Sequence, residues 1–246
     1  DADPRSIPAP PILDWWIDKD HDFLVKMAPP EKMHDMSVIA SRKRAIPGHQ
    51  RRDDFVGLIQ QKIPQVDVFG DDREKYLKNK WDGLAPYKYS IAIENSSFPY
   101  YWTEKLSDCF LSHTVPLYFG ATNLHEFFPR ESYIWLPLDS PDQALKVIEK
   151  TLTSDDWDAR LPALIEARTT FLREYSIHGA LSARIKSERL DIWRANWRTR
   201  TVHGRRISRG GWIRGRGLIG NLTAQIERAI ARRDSVRTEP QDLSET

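Results

Sequence analysis

Cysteine is almost missing from this chain: Cys109 is the only one in 246 residues. That excludes an intrachain disulfide framework and a cysteine-based zinc finger. Long apolar runs are missing as well. None approaches the roughly 20 residues of a membrane-spanning helix, which excludes an integral helical membrane protein. There is no initiator Met and no signal-like apolar stretch at the start. The chain opens on Asp1 and reads as a processed form or a fragment. What is present is an ordinary globular mixture, 40% hydrophobic and 29% charged, unlike a disordered composition. At roughly 150 residues per domain the length allows about one and a half domains. That is one sizeable core with appendages.

The net charge of +2 hides an asymmetry. Between Arg194 and Arg237 there are twelve arginines, no lysine and two acids, Glu227 and Asp234. That stretch carries about +10 and the remainder about −8. A basic tail on a mildly acidic body points to an anionic partner: membrane lipid, nucleic acid or a phosphorylated ligand. Leu218, Leu222, Ile226 and Ile230 recur every four residues among these arginines, so the tail reads as an amphipathic helix. Three uses are open: a solvated helix face, a helix lying on anionic lipid, or an RNA-binding Arg-Gly segment around 209–217.

Residues 1–11 hold four of the sixteen prolines and read as extended and poorly packed. Ile12, Leu13, Trp15, Trp16 and Ile17 form an aromatic cluster that must cover something apolar. From Met36 the pattern predicts strands at 37–40, 66–69, 88–93, 115–119 and 133–136. Helices are predicted at 52–61 and 103–112, with a short turn at 124–128. Thr103 is the expected N-cap of the second helix. A polar loop is expected from Arg42 to Gln50. Later helices are expected over 141–152, 158–175 and 179–198. Strands alternating with helices indicate an α/β parallel sheet. Ligands in such sheets bind beyond the carboxyl ends of the strands, here the loops after Ile39, Ile93 and Phe119.

The stretch from Tyr87 to Gly120 carries the chemistry. A buried strand ends in Glu94-Asn95-Ser96. An aromatic loop follows, and a helix starts at Thr103-Glu104-Lys105. A helix N-terminus suits a phosphate. Lys105 in the first turn opposes the helix dipole, which suggests an anion to be bound. Glu104 has the chemistry to accept sugar hydroxyls, and Tyr100, Tyr101 and Trp102 to stack on a base or sugar ring. Blander readings stay open: Glu104 as a cap, Lys105 as a solvated charge, the aromatics as core.

These residues resemble a known family. Glu94-Asn95-Ser96, then Tyr101-Trp102-Thr103-Glu104-Lys105-Leu106, then Ser112-His113-Thr114-Val115-Pro116-Leu117-Tyr118-Phe119-Gly120 look like the signature of the family 10 glycosyltransferases, the α-1,3/1,4-fucosyltransferases. Asn123–Phe128, Pro129 and Ser132-Tyr133-Ile134 continue it. Ser37–Ser41, Gly48-His49, Arg52 and Phe55 resemble the start of its donor-binding domain. The likeness covers roughly 36–190. It implies a Rossmann-like domain of GT-B type at 36–190, between an N-terminal arm at 1–35 and a basic helical tail at 191–246. It also implies inverting transfer of L-fucose from GDP-fucose to a glycan hydroxyl, in protein or lipopolysaccharide glycosylation. By motif position Arg52 and Lys105 meet the diphosphate, and Asn95, Tyr101 and Glu104 the ribose, guanine or fucose. Glu94, Trp102 and Thr103 are weaker candidates. Cations aimed at the leaving GDP stabilise its growing charge, so no divalent metal or other cofactor is required.

The family's general base belongs to an N-terminal acceptor domain, for which some 35 residues are too few. Asp14, Asp18, Asp20, Asp22 and Glu31 are acids in that half, and nothing selects one, so no base is assigned. This leaves a non-catalytic nucleotide-sugar or glycan-binding module, or a transferase of another GDP-sugar, as alternatives. Asp156-Trp157-Asp158 matches a metal-binding Asp-x-Asp but precedes a helix, where Ser154 and the acids suit a cap. His113 is placed near the donor-side loop with a packing or hydrogen-bonding role. The sequons at Asn95 and Asn221 are read as unglycosylated. The expected location is the cytoplasm or the cytoplasmic face of a membrane, bacterial in type. One cysteine and no signal anchor disfavour a Golgi lumen. The expected partners are GDP-fucose, a glycan acceptor and an anionic membrane surface through 205–246, with nucleic acid disfavoured.

Overall fold

Five short apolar segments pair into one sheet. In the computed structural model, which describes residues 9–42, 44–70 and 75–187, these are β1 (His34–Ile39), β2 (Asp67–Phe69), β3 (Tyr87–Ile93), β4 (Val115–Phe119) and β5 (Ile134–Trp135). Their order is β2-β1-β3-β4-β5, and every pairing is parallel. All carboxyl ends therefore share one edge, as the alternating pattern predicted. β4 is buried at every position and β3 at all but one. Strands covered on both faces read as near-continuous apolar runs, without alternation.

The helices are α1 (His21–Lys26), α2 (Pro47–Lys62), α3 (Glu104–Leu111), α4 (Pro141–Ser154), α5 (Trp157–Thr170) and α6 (Ile177–Ser187). The chain runs from β1 through α2 to β2 in one direction and from β3 through α3 to β4 in the other. Right-handed crossovers then put α2 and α3 on opposite faces. Phe55, Val56 and Ile59 bury one side of α2. Leu106, Cys109, Phe110 and Leu111 bury α3. Burying one such side chain contributes about 1.5–3 kcal/mol.

Several boundaries depart from the expected ones. The loop expected through Gln50 ends at Ile46, because α2 starts with Pro47 at its first position. Proline is pre-set for that place, while Gly48-His49-Gln50 carry no apolar period to signal a helix. The helix expected over 158–175 closes as α5 at Thr170 and continues as a single π-helical turn, Phe171–Tyr175. Residues 188–198 of the last expected helix, the whole tail helix at 218–233 and the Arg-Gly stretch lie outside the described residues, as do residues 1–8. Among the described residues no helix is long and apolar enough to cross a membrane.

The aromatic cluster near the start divides. Ile17 is fully buried, whereas Trp16 is 69% exposed. Its backbone is held nonetheless: Trp16 N donates to Asp108 Oδ1 at 3.1 Å. Asp108, fully buried in α3, also receives Lys80 Nζ at 2.6 Å. Burial alone would strip the proton from Lys80, but Asp108 outweighs it and holds the ammonium above its usual range. Leu13 pairs with the end of the π turn: its N–H donates to Tyr175 O at 2.8 Å, and Ile177 N donates to Leu13 O at 3.1 Å. Lys32 crosses the amino-terminal edge of the sheet. Its Nζ donates to Ala85 O (2.8 Å), Ser112 O (3.0 Å) and Thr114 Oγ1 (3.2 Å). Burial depresses its pKa to about 7.

Candidate functional site

Strand order reverses direction between β1 and β3. In an open parallel sheet that reversal separates the loops on either side and leaves a crevice at the carboxyl edge. Two features fill this one. The first turn of α2 presses against the exit of β3: a Cβ placed on Gly48 would lie 1.8 Å from the Asn95 carbonyl oxygen. Just beyond, Arg52 Nη1 donates to Asn95 Oδ1 at 2.7 Å, and Arg52 is only 7% exposed. Ile46 gives α2 no side-chain cap, and its first turn has no acid. Its amino end thus keeps its partial positive charge for an anion. Ile46, Pro47, Gly48, Arg51 and Asn95–Ser97 line an open pocket of about 570 Å³ here, a size typical of small-molecule sites.

The second feature is the start of α3. Thr103 caps it, as predicted, its Oγ1 accepting from Lys105 N at 3.4 Å. Thr103 itself is held by Glu94, whose fully buried carboxylate accepts Thr103 N–H at 2.8 Å and the Thr103 hydroxyl at 2.9 and 2.8 Å. Lys105 Nζ stands 3.3 Å from Glu94 Oε2, 3.3 Å from Glu104 Oε1 and 3.0 Å from Thr103 Oγ1. Burial drives the Glu94 pKa up, opposed by Lys105 and Thr103. Burial also works to raise Glu104, but Lys105 and Lys80 bring it below the usual carboxylate range. The anion that Lys105 faces here is therefore the chain's own Glu94, with Glu104 beside it, which the helix-dipole argument did not foresee.

Arg52 and Lys105 approach from opposite faces of the sheet and border one narrow cavity of about 30 Å³, together with Lys80. The structure thus gathers Arg52, Asn95, Glu94, Thr103, Glu104 and Lys105 at one place. Tyr101 joins them: burial and the Glu94 charge raise its phenol, and its ring stacks on Phe98 at 4.5 Å. Trp102 does not join. It is 2% exposed and packed among Phe127, Phe128 and Tyr175, so it has no face for a ligand. Phe98, half exposed, is the open aromatic of this loop. Tyr100 takes a left-handed backbone (φ 65°) and donates its N–H to Asn123 Oδ1 at 2.8 Å, which fixes the bend.

Other expectations are relocated. His113 precedes β4 and so lies at the amino-terminal edge of the sheet, opposite the crevice. It turns the chain out of α3 in a left-handed conformation (φ 53°). Burial, then Arg168 and Lys32, lower its pKa to about 3. Ser154 does not cap α5; its hydroxyl donates to Thr151 O, and Asp156 occupies the cap position. Asp156 is engaged by Tyr89 OH at 3.0 Å and Arg160 Nε at 2.8 Å. Among the described residues no three His, Cys, Asp or Glu side chains come together as a metal site. Of the acids in the first 35 residues, Asp20 caps α1 through Phe23 N (2.7 Å) and Asp14 accepts Trp15 N (2.9 Å). Sequence reasoning missed Arg51, which lines the open pocket, sits 4.6 Å over the Phe119 ring and pairs with Asp139 at 2.9 Å. Its only signal is adjacency to Arg52.

The model of glycosyltransferase family 10 (fucosyltransferase), C-terminal part, matches residues 30–155. Three curated relatives are similar over parts of the chain. An α-(1,3)-fucosyltransferase of Helicobacter pylori is 36% identical over 58 residues, 24% of this chain and 12% of its own length. A GDP-fucose protein O-fucosyltransferase 3 of Danio rerio is 31% identical over 121 residues, 44% of this chain and 26% of its own. An α-(1,4)-fucosyltransferase of Arabidopsis thaliana is 45% identical over 51 residues, 21% and 13% of the two chains. A solved α1,3-fucosyltransferase with GDP-fucose is 27% identical with a TM-score of 0.45, over 60% of this chain and 44% of that one. The matched stretches thus span between 12% and 26% of these curated relatives' own length.

Proposed function

This chain belongs to glycosyltransferase family 10, and on that footing we propose that it is the donor half of a GT-B fucosyltransferase. The proposed reaction moves L-fucose from GDP-fucose to a glycan hydroxyl with inversion at the sugar carbon. The observation that carries this reading is that Arg52 and Lys105 border one cavity beside an uncapped helix end, with Asn95 bonded to Arg52, Glu104 paired with Lys105 and Tyr101 within the field of Glu94. A nucleoside diphosphate needs fixed positive charge where its leaving oxygen develops negative charge. Arg52 and Lys105 stand on two sides of one cavity, and the α2 amino end adds a third source. A preorganised donor of this kind is worth about 2.7–4 kcal/mol in the transition state. These cations do the work that a divalent metal does elsewhere, so the proposal requires no cofactor.

The arrangement needs one exchange. Lys105 is held by Glu94 and Glu104, and an arriving phosphate competes with two carboxylates. Glu104 is 20% exposed and Glu94 buried. A ribose or fucose hydroxyl reaches Glu104 while the phosphate draws Lys105 outward. The proposed organisation is an N-terminal arm at 1–35, the donor domain at 36–190 and the basic tail at 191–246. The tail, through 205–246, is the proposed contact with an anionic membrane face; it rests on composition alone. We assign no acceptor base.

The test is donor binding by calorimetry, then GDP release from GDP-fucose with and without glycan acceptors. GDP binds the unaltered chain, and Arg52→Ala and Lys105→Ala abolish binding. Binding without turnover assigns a binding module in place of a transferase. Absence of any GDP binding sinks both readings, and unchanged affinity in either variant removes that residue from the site.

A further inference from the structure

A second opening lies on the same edge of the sheet, where β4 and β5 end. Ala121, Thr122, His125, Arg130, Tyr133 and Trp135 enclose about 270 Å³. It shares no lining residue with the pocket between β1 and β3. Its wall is Trp135, 41% exposed and braced by ring contacts with Tyr118 at 6.4 Å and Phe119 at 6.2 Å. A braced indole with an open face is a platform for the apolar side of a pyranose ring. Arg130 is exposed and forms no ion pair among the described residues. Its charge is felt at Tyr133, where burial raises the phenol pKa and Arg130 opposes the rise. Thr122 and His125, both exposed, add hydrogen-bonding groups.

The frame is fixed without a ligand. Ala121 N donates to Tyr118 OH at 3.0 Å. Ser132 Oγ donates to Pro129 O at 2.6 Å. Ser97 Oγ donates to Gly120 O at 2.8 Å, tying this loop to the one that carries Asn95. An aromatic platform with a few converging polar groups in a preformed cleft is the usual build of a ligand site.

We infer that this pocket binds a sugar residue bearing a carboxylate, its ring on Trp135 and its carboxylate on Arg130, beside the donor crevice. The bound residue is then part of the acceptor glycan, a role that rests on the transferase reading; the binding itself does not.

Saturation-transfer NMR on the full chain tests it with two probes, methyl β-D-glucuronide and methyl β-D-glucoside. The glucuronide binds about three-fold more tightly, the range of an exposed charge pair. Trp135→Ala abolishes transfer from both, and Arg130→Gln removes the preference while keeping the glucoside signal. GDP affinity is unchanged in both variants. Equal transfer from the two sugars in the unaltered chain, or no transfer, overturns the inference. If Trp135→Ala fails to fold, the preference lost or kept in Arg130→Gln decides. Failure of GDP to bind removes the donor reading and leaves the sugar result to be judged alone.

Discussion

Helix α2 holds two glycines to which the structure gives opposite fates. A Cβ on Gly57 meets nothing within 4 Å, whereas one on Gly48 lies 1.8 Å from Asn95 O and 2.7 Å from its carbonyl carbon. Ordinary Cβ contacts begin near 3.4 Å, so Gly48→Ala must open α2 from the β3 exit by about 1.6 Å. The obstacle is backbone, so no rotamer change relieves it. The Arg52–Asn95 bond, 2.7 Å long, does not survive such an opening. Overpacking costs about 1–3 kcal/mol, and a hydrogen bond to a charged group about 1.5–3 kcal/mol. Alanine's helix propensity returns up to about 1 kcal/mol. The net loss is about 1.5–5 kcal/mol, a fall of roughly 3–20 °C in melting temperature. Gly57→Ala has only the propensity gain and melts higher than the unaltered chain. At the site, displacing a positioning group by more than 1 Å weakens function by about a hundredfold. Circular dichroism melts and GDP calorimetry on the two variants read both effects. A Gly48→Ala protein that melts as high as Gly57→Ala and binds GDP normally would refute the argument that this glycine seats α2 on β3.

Glu94 is buried with a raised pKa held in check by Lys105. Drawing Lys105 to a phosphate raises it further, so GDP-fucose binding takes up a proton and weakens as pH rises. Calorimetry in buffers of different ionisation enthalpy measures that uptake, and Glu94→Gln abolishes it; equal uptake in both proteins contradicts the exchange. Lys32 has a folded pKa of about 7 against 10.5 unfolded. The unfolded chain therefore binds more protons between these values, and stability rises with pH across that window by at most about 1.4 kcal/mol per unit. Urea titrations from pH 7 to 9 show this slope and its loss in Lys32→Met; identical slopes refute it. Asp108→Asn removes the carboxylate that Lys80 is bonded to, leaving it only the more distant Glu104, and costs about 3–5 kcal/mol. A urea-derived loss below 1 kcal/mol would show that the pair contributes little.

The centre of the sheet was legible because β3 and β4 are short apolar runs, each ended by a turn residue or a polar group, and burial on both faces makes such runs unambiguous. The α2 start was not, because its first turn is chosen by contact with Asn95 and by proline's fixed φ, neither of which has an apolar period. Trp102 and Trp16 show the same limit for aromatics. A tryptophan in a loop carries no mark of whether it faces the core or solvent; Phe127, Phe128 and Tyr175 decide it for Trp102, and they are distant in sequence. His113 was placed at the wrong edge because its neighbours in sequence belong to the motif. Three-dimensionally, however, α3 carries the chain from one edge of the sheet to the other, and His113 comes after that passage.

The site was legible as a group of residues and not as a charge balance. A lysine in the first turn of a helix opposes the dipole by about 0.3–1 kcal/mol, and from sequence alone an external anion is the natural remedy. The fold supplies an internal one: Glu94 leaves β3 directly beneath α3, and burial makes its charge costly without a cation. Each group thus meets the other's need, and Thr103 joins them as cap of the helix and donor to the carboxylate. This explains how two cations and an uncapped helix end can coexist beside a crevice before any ligand arrives. Arg52 donates to the Asn95 amide oxygen, and α2 has no side-chain cap. Lys105, whose dipole penalty Glu94 offsets, is the member whose partner must change, so Glu94 sets how readily the crevice accepts an anion.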